Sequence, residues 1–340
     1  MRLIMTGLDH KRAELDVRER FALTKDMTKK ILTAIKGRAD VGGCVIISTC
    51  NRTELYASVS GVCAFEPTKA LCEELGVNHI EYSDYFTEKE EGNALDHLCR
   101  VASGLDSQIV GEDQIITQVR EAAEFSRGHE RTDPYIETMF NLAIKAAKAI
   151  KTNVILKSFG NDSVAHETVK KLKTISTPAG LNAVVIGNGQ MGRLVAELLI
   201  RENARVTVTV REYRRGIVKV PDHAYTIGYS ERYGAIEKAD IVISVTASPH
   251  HTLHYDKMKE LARLPEIIVD LAVPRDVEPK VGELSGVRLL TVDDISGESR
   301  DLPPESVSMI DEIIEEHIEK YYRWMAFKEE SGSERTGGVA

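Results

Sequence analysis

Apolar and polar positions change rhythm twice along the chain. Residues 2–8 alternate loosely and predict a short strand, and the charged stretch 15–36 has helix-favouring composition. Residues 41–50 read as a buried strand that emerges into the polar turn Asn51-Arg52-Thr53, with 55–59 as the returning strand. From 93 to about 128 the pattern is helical with interruptions. Residues 138–154 predict another helix, whose Met139, Leu142, Ala143, Ala146, Ala147 and Ile150 keep to one side.

Near residue 180 the rhythm shifts. Pro178-Ala179-Gly180 is followed by an apolar run over 181–186, then Gly187-Asn188-Gly189-Gln190-Met191-Gly192 and an amphipathic helix over 194–200. Further strands are predicted at 206–210, 241–245 and 267–271, and strands alternating with helices mean a parallel α/β sheet. Pro303-Pro304-Glu305 opens a last helix with Val307, Ile310, Ile314, Ile318, Tyr321 and Met325 as its apolar stripe. Some 22 residues at about 1.5 Å each reach about 33 Å, enough to run alongside more than one domain. The expected architecture is multidomain, α+β over 1–150 and Rossmann-type α/β over 151–300, with a long C-terminal helix over 301–330 and a polar, disordered tail over 331–340.

Composition narrows the class. The 340 residues carry 44 Lys and Arg against 53 Asp and Glu, a net charge of −9, with 42% hydrophobic and 29% charged residues. That is an ordinary globular balance, which excludes a disordered polymer and a bundle of membrane spans. The opening residues meet charge too soon for a secretory signal. Five cysteines, at 44, 50, 63, 72 and 99, are odd in number and form no C-x-x-C pair. They argue against a disulfide scaffold and a zinc cluster, so no metal is expected and a reducing cytoplasm is the expected location. An acidic chain is a poor non-specific nucleic-acid binder, which leaves a local basic face as the way to engage one nucleic acid.

Gly187, Gly189 and Gly192 fit G-x-G-x-x-G between a predicted strand and helix. The first glycine permits the turn, the second lets backbone approach a pyrophosphate, and the third lets helix and strand pack closely. Residues 187–192 are therefore candidate cofactor ligands, with a purely structural glycine turn as the alternative. The strand 206–210 ends in Arg211, with Arg214 and Arg215 beyond and Glu212 dissenting. An Arg there accommodates the 2′-phosphate of NADP, where an acidic residue would accept the ribose hydroxyls of NAD. NADPH is preferred; a solvated basic turn is the alternative.

Cys50 ends an apolar strand and heads Cys50-Asn51-Arg52-Thr53-Glu54, so its sulfur should reach a polar surface. Thiols are intrinsically nucleophilic and more so beside a cation or His. The other cysteines sit among apolar or helical residues, where inert packing is the usual role.

At this point the chain resembles the glutamyl-tRNA reductase family. Ser48-Thr49-Cys50-Asn51-Arg52-Thr53-Glu54-Leu55-Tyr56 is similar to the family signature. Gly7-Leu8-Asp9-His10-Lys11-Arg12-Ala13, the run from His97 to Ser107, and Gly111-Glu112-Asp113-Gln114-Ile115 follow in family order. So do Gly187 to Gly192, Thr246-Ala247-Ser248-Pro249 and the run Asp270 to Val277, a likeness spanning about 1–325. The resemblance implies reduction of the glutamyl group of glutamyl-tRNA to glutamate-1-semialdehyde, the entry to tetrapyrrole (haem) biosynthesis, in a catalytic, glutamyl-tRNA-binding domain over 1–150. It implies Cys50 as nucleophile, forming a glutamyl thioester that NADPH reduces, with His97 beside the reacting carbonyl. Thr49, Asn51 and Arg52 would hold the glutamyl moiety, Arg52 through the side-chain carboxylate. Ser107, Glu112, Asp113, Gln114 and Gln118 would line the same pocket, Glu112 on the amine. Arg offers a planar fork for a carboxylate, and His can assist proton transfer near neutral pH. The downstream aminomutase is an implied partner.

The chain departs from the family pattern in three ways. It stops near residue 340, where the typical member continues into a helical dimerisation domain, so homodimerisation by that route is in doubt. Asp113 stands for the usual Pro, and Asn188 and Gln190 for Ala and Glu. The stretch 158–164 follows the pattern only loosely. Two competing readings are a related thioester-forming reductase with another acyl donor, and a non-catalytic regulator that binds NADP or tRNA.

Overall fold

The computed structural model describes residues 1–60, 65–108, 114–154, 164–210, 220–295 and 302–336. The chain divides into two compact units, Met1–Gly160 with Ser299–Ala340, and Asn161–Glu298.

The first unit runs β1 (Arg2–Asp9), α1 (Leu15–Arg20), α2 (Lys25–Lys36), β2 (Val41–Ser48), β3 (Arg52–Val59), α3 (Pro67–Leu75), α4 (His79–Tyr82), β4 (Thr87–Glu90), α5 (Glu91–Ser103), α6 (Gln114–Gly128) and α7 (Pro134–Asn153). Its strands form an antiparallel sheet in the order β2-β3-β1-β4. Strand side chains alternate between faces, and here both faces are buried. Leu3, Met5, Val45, Ile47 and Tyr56 pack on α5, α6 and α7, while Ile4, Leu8, Ile46, Leu55 and Ala57 pack towards α2 and α3.

The helical stretch expected over 15–36 is two helices. Phe21 turns into the core, edge-on to Tyr82 and Phe86, and the Thr24 side chain caps α2 by accepting the Met27 N–H at 3.3 Å. The stretch 93–128 is likewise divided. Gly104, at φ 80°, ends α5 in the left-handed conformation, and the Leu105 N–H returns to the Arg100 carbonyl at 3.0 Å.

The second unit runs α8 (Val164–Ile175), β5 (Asn182–Ile186), α9 (Gln190–Arg201), β6 (Arg205–Val210), β7 (Tyr225–Gly228), α10 (Arg232–Ile236), β8 (Ile241–Ser244), α11 (Tyr255–Lys259), β9 (Ile267–Asp270), β10 (Arg288–Thr291) and α12 (Val292–Ile295). Its six strands are all parallel in the order β10-β9-β8-β5-β6-β7. Read from the other edge this is the 3-2-1-4-5-6 order of a doubly wound dinucleotide-binding sheet. β5 and β8 are the neighbours at which the winding reverses.

The last helix, α13 (Pro304–Thr336), belongs to the first unit and packs on α5 and α7 through Ile310, Ile314, Ile318 and Tyr321. Val307, placed in the stripe by its spacing, is instead 39% exposed. The helix also continues to Thr336, past the expected end at 330 and into the stretch expected to be a disordered tail. Adding a residue to a formed helix costs little compared with nucleating one. Among the described residues, no helix is long and apolar enough to cross a membrane.

Candidate active site

The β2–β3 hairpin presents Thr49, Cys50 and Asn51 at its tip. The Thr49 N–H donates to the Arg52 carbonyl at 2.9 Å, and the Asn51 N–H to Thr49 Oγ1 at 3.2 Å. Two neighbours fix the tip from outside. The His10 N–H donates to the Asn51 carbonyl at 2.9 Å, and buried Arg18 on α1 donates to the Cys50 carbonyl at 2.7 Å. A guanidinium therefore sits against the main chain of Cys50, which is half-buried. Burial pushes the Cys44 thiol up to about 12 and that of Cys72 to about 11, and raises Cys99 as well. Those three are packed, inert sulfurs.

Arg52, Glu54 and Tyr56 share one face of β3, and that face meets α5. Arg52 donates through Nη1 to Glu54 Oε1 at 2.6 Å and through Nη2 to the Asp106 carbonyl. Glu54 Oε1 also lies 2.9 Å from His97 Nε2, and Glu54 Oε2 accepts from the Tyr56 hydroxyl at 2.7 Å. The other ring nitrogen of His97 is 3.9 Å from Asp106 Oδ2, and Asp106 is paired with Lys11 at 2.6 Å. Arg52 and Glu54 are each 2% exposed. Burial pushes the Glu54 carboxyl up, but Arg52, His97 and the hydrogen bonds from His97 and Tyr56 hold it well below the usual range. Burial lowers the imidazole of His10 to about 4, helped by Arg52, Arg18 and Lys11 against the pull of Asp9.

Local pattern assigns Glu54 no role, although it links Arg52 to His97. The signal was available: in a strand, i and i+2 share a face, so a polar Arg52–Glu54 pair in a buried strand requires mutual compensation. Gly7 makes the pair possible. It stands opposite Glu54 in the β1–β3 register, where a Cβ would run into the Glu54 side chain. Asp106 was equally missed, because only the turn after Gly104 brings it back to Arg52. Ser107, in the same turn, is 7% exposed. Gln114 and Gln118 begin α6, half-buried and one turn apart, and among the described residues the bonds joining Arg52 to His97 do not extend to them. Glu112, Asp113 and Arg211 lie outside the described residues, as do Arg214, Arg215 and Cys63.

In the second unit, residues 187–192 join β5 to α9. Gly187 has φ 113°, and a Cβ there would run into the Val245 carbonyl; its N–H donates to Thr209 Oγ1 at 3.2 Å. A Cβ on Gly192 would meet the Gly187 carbonyl, whereas one on Gly189 would meet nothing within 4 Å. The outer glycines are thus required by packing, and the middle one leaves its backbone open at the start of α9. This is the cradle a pyrophosphate needs, beside a helix N-terminus whose first N–H groups have no intrahelical acceptor. Asn188 accepts from Arg193 through its carbonyl at 3.2 Å, and Gln190 is exposed.

Fold and site together define a two-unit α/β protein that joins a dinucleotide-binding unit to an α+β unit with a cysteine-tipped hairpin over a buried ion cluster. Residues 6–154 match the model of the glutamyl-tRNA(Glu) reductase N-terminal domain, and residues 167–298 that of shikimate/quinate 5-dehydrogenase. Glutamyl-tRNA reductase of Alkaliphilus oremlandii is 41% identical over 98% of this chain and 99% of its own length. That of Acetivibrio thermocellus is 39% identical over 96% and 98%. A solved glutamyl-tRNA reductase from Methanopyrus kandleri is 27% identical with a TM-score of 0.49, covering 95% of this chain and 80% of that one. The chain belongs to the glutamyl-tRNA reductase family.

Proposed function

We propose that the protein reduces glutamyl-tRNA to glutamate-1-semialdehyde, the first step of tetrapyrrole synthesis, through a thioester on Cys50 and with NADPH as reductant. The observation that carries this reading is the half-buried Cys50 at a hairpin tip held by Arg18 and His10, in a chain of this family.

The Cys50 thiolate attacks the ester carbonyl of glutamyl-tRNA. A C–S bond forms, the C–O bond to the tRNA ribose breaks, and the departing ribose oxygen takes a proton. Splitting the reduction in two makes it easier, because sulfur donates less into a carbonyl than oxygen does. His97 is held by Glu54 through Nε2, and its Nδ1, 3.9 Å from Asp106 Oδ2, is the nitrogen that would move a proton at the reacting carbonyl. Thr49 and Asn51 hold the glutamyl group at the hairpin tip, above Arg52. The buried Arg52 guanidinium is braced by Glu54 and the Asp106 carbonyl and would have to share its charge with the glutamyl carboxylate. Ser107, Glu112, Asp113, Gln114 and Gln118 complete the pocket. When bound, NADPH supplies the hydride that converts the thioester to aldehyde and returns the thiol. Gly187 to Gly192 would hold its pyrophosphate and Arg211 its 2′-phosphate. The aldehyde product is reactive, which favours transfer to an aminomutase that consumes it.

Intact-protein mass spectrometry with glutamyl-tRNA and no NADPH tests this. A glutamyl adduct on Cys50 that disappears on adding NADPH is expected, and Cys50→Ser should abolish both adduct and turnover. Product accumulating with no adduct at Cys50, or turnover surviving in Cys50→Ser, would refute the thioester route.

A further inference from the structure

One buried residue in the second unit, Asp276, ties both ends of an exposed loop, one through its carboxylate and the other through its main-chain carbonyl. Asp276 is 0% exposed and follows β9. Its Oδ2 accepts from the Ser244 hydroxyl at 2.8 Å and the Thr246 N–H at 2.7 Å, and its Oδ1 accepts from the Thr246 hydroxyl at 2.5 Å. Its main-chain carbonyl accepts the N–H groups of Thr252 at 2.6 Å and Leu253 at 3.0 Å. The loop 246–252, which leaves the carboxyl end of β8, therefore starts and finishes on a single residue. Asp270, at the end of β9, orients that residue in turn by accepting from the Ala272 N–H at 3.0 Å and the Val277 N–H at 2.8 Å.

The loop's position gives the anchor its meaning. Val245, just before Thr246, presents its carbonyl to Gly187, so closely that no Cβ fits between them. The anchored loop is thus the wall facing the glycine turn, across the crevice at the β5–β8 reversal. In doubly wound sheets the dinucleotide lies in that crevice, outside the carboxyl ends of the strands. The β5-β6-β7 half serves the adenosine side, which leaves the β8 side to the nicotinamide. Loop 246–252 is on the nicotinamide side.

We propose that Asp276 is a positioning residue for the nicotinamide half of the cofactor: it fixes Thr246 and loop 246–252 against the glycine turn and so sets where the reducing ring rests. The proposal rests on the second unit being the NADPH site. It names a residue that touches neither substrate nor cofactor and acts through Thr246. Burying a carboxylate is expensive unless it is fully hydrogen-bonded, and here its bonds go to Ser244 at the end of β8 and to Thr246 at the start of the loop.

Titration of the full chain with NADPH in the absence of glutamyl-tRNA, read by nicotinamide fluorescence, and steady-state kinetics test it; in Asp276→Asn the dissociation constant should rise in step with the KM. In Asp276→Asn one acceptor becomes a donor, so Thr246 loses part of its anchor. The KM for NADPH should rise about tenfold and kcat should fall, while the KM for glutamyl-tRNA stays within twofold. The inhibition constant of adenosine 2′,5′-bisphosphate, which fills only the adenosine side, should also stay within twofold. A merely structural role would lower the amount of active protein and leave both KM values in place, or weaken NADPH and the adenosine fragment together. Either result overturns the proposal, as does an unchanged NADPH KM. Thr246→Val keeps the backbone bond and removes the hydroxyl, and covers the case in which Asp276→Asn fails to fold. It should raise the NADPH KM about threefold with the fragment unaffected, and no change would count against the proposal. Wild-type protein that binds neither NADPH nor the fragment would remove the underlying reading, a failure visible before any variant is made.

Discussion

Glu54 Oε1 lies 2.9 Å from His97 Nε2, and the same oxygen accepts from Arg52 at 2.6 Å. One carboxylate therefore orients the imidazole of α5 and neutralises the guanidinium of the hairpin. The two residues are 43 apart in sequence and meet because β3 turns the Arg52-Glu54-Tyr56 face towards α5.

Glu54→Gln should be costly. It keeps the shape but removes the charge opposite a guanidinium that is 1% exposed. Removing one partner of a buried pair typically costs about 3 kcal/mol or more. A loss of that order in denaturant unfolding is expected, together with a fall in turnover of at least a hundredfold as His97 loses its fixed orientation. Wild-type stability in the variant would contradict this charge compensation.

Arg52→Lys should not be conservative. Arg52 spans Glu54 and the Asp106 carbonyl with two separate nitrogens, and a single ammonium cannot reproduce that fork. Weaker binding of a non-hydrolysable glutamyl-adenosine analogue, by about tenfold, and a lower melting temperature are both expected. Unchanged affinity in calorimetry would exclude Arg52 from the glutamyl pocket.

The glycines of the β5–α9 turn should separate stability from affinity. Gly187→Ala puts a side chain at φ 113° against the Val245 carbonyl and should destabilise the second unit severely. Gly189→Ala meets nothing within 4 Å and should cost about 1 kcal/mol or less as a changed helix cap, yet weaken NADPH at least tenfold by occupying the pyrophosphate approach. Paired melting curves and NADPH titrations check both. A Gly189→Ala variant with normal affinity would place the pyrophosphate elsewhere.

The two units should respond to pH in different windows. Burial pushes the Asp270 carboxyl up to about 7, against about 3.9 in an unfolded chain. Between those values the folded state binds more protons, so this group's contribution is fully present below about pH 4 and is lost as pH rises to 7, on the order of 4 kcal/mol at most. Glu54 is depressed instead, so its contribution is present above an unfolded pKa of about 4.3 and is lost only below it. Amide-exchange protection, corrected for intrinsic rates, should rise in β8 and β9 from pH 7 to pH 5 and stay level in β3. Parallel behaviour of the two sheets would show that these carboxyls do not govern it.

Much of this molecule is written locally. Apolar runs between turn residues are enough to call β2, β5, β6, β8 and β9, because a strand buried on both faces needs little else. Gly187, Gly189 and Gly192 declare a tight strand-to-helix turn, because the close backbone approach at Gly187 and Gly192 allows few other residues there, and Cys50 stands out by following an apolar strand into a polar run. What periodicity could not reveal depends on distant partners. The break at Phe21 depends on Tyr82 and Phe86, and the short strands β7 and β10 are held by the sheet edges they complete. The pairing of Glu54 with His97 required β3 to dock on α5, and the hold of Asp276 on Thr246 required two parallel strands to end side by side. Local pattern fixes which residues are buried and which turn, because those preferences act within a few residues. Charge compensation in the interior joins groups far apart along the chain, so only the packed fold decides which carboxylate meets which cation.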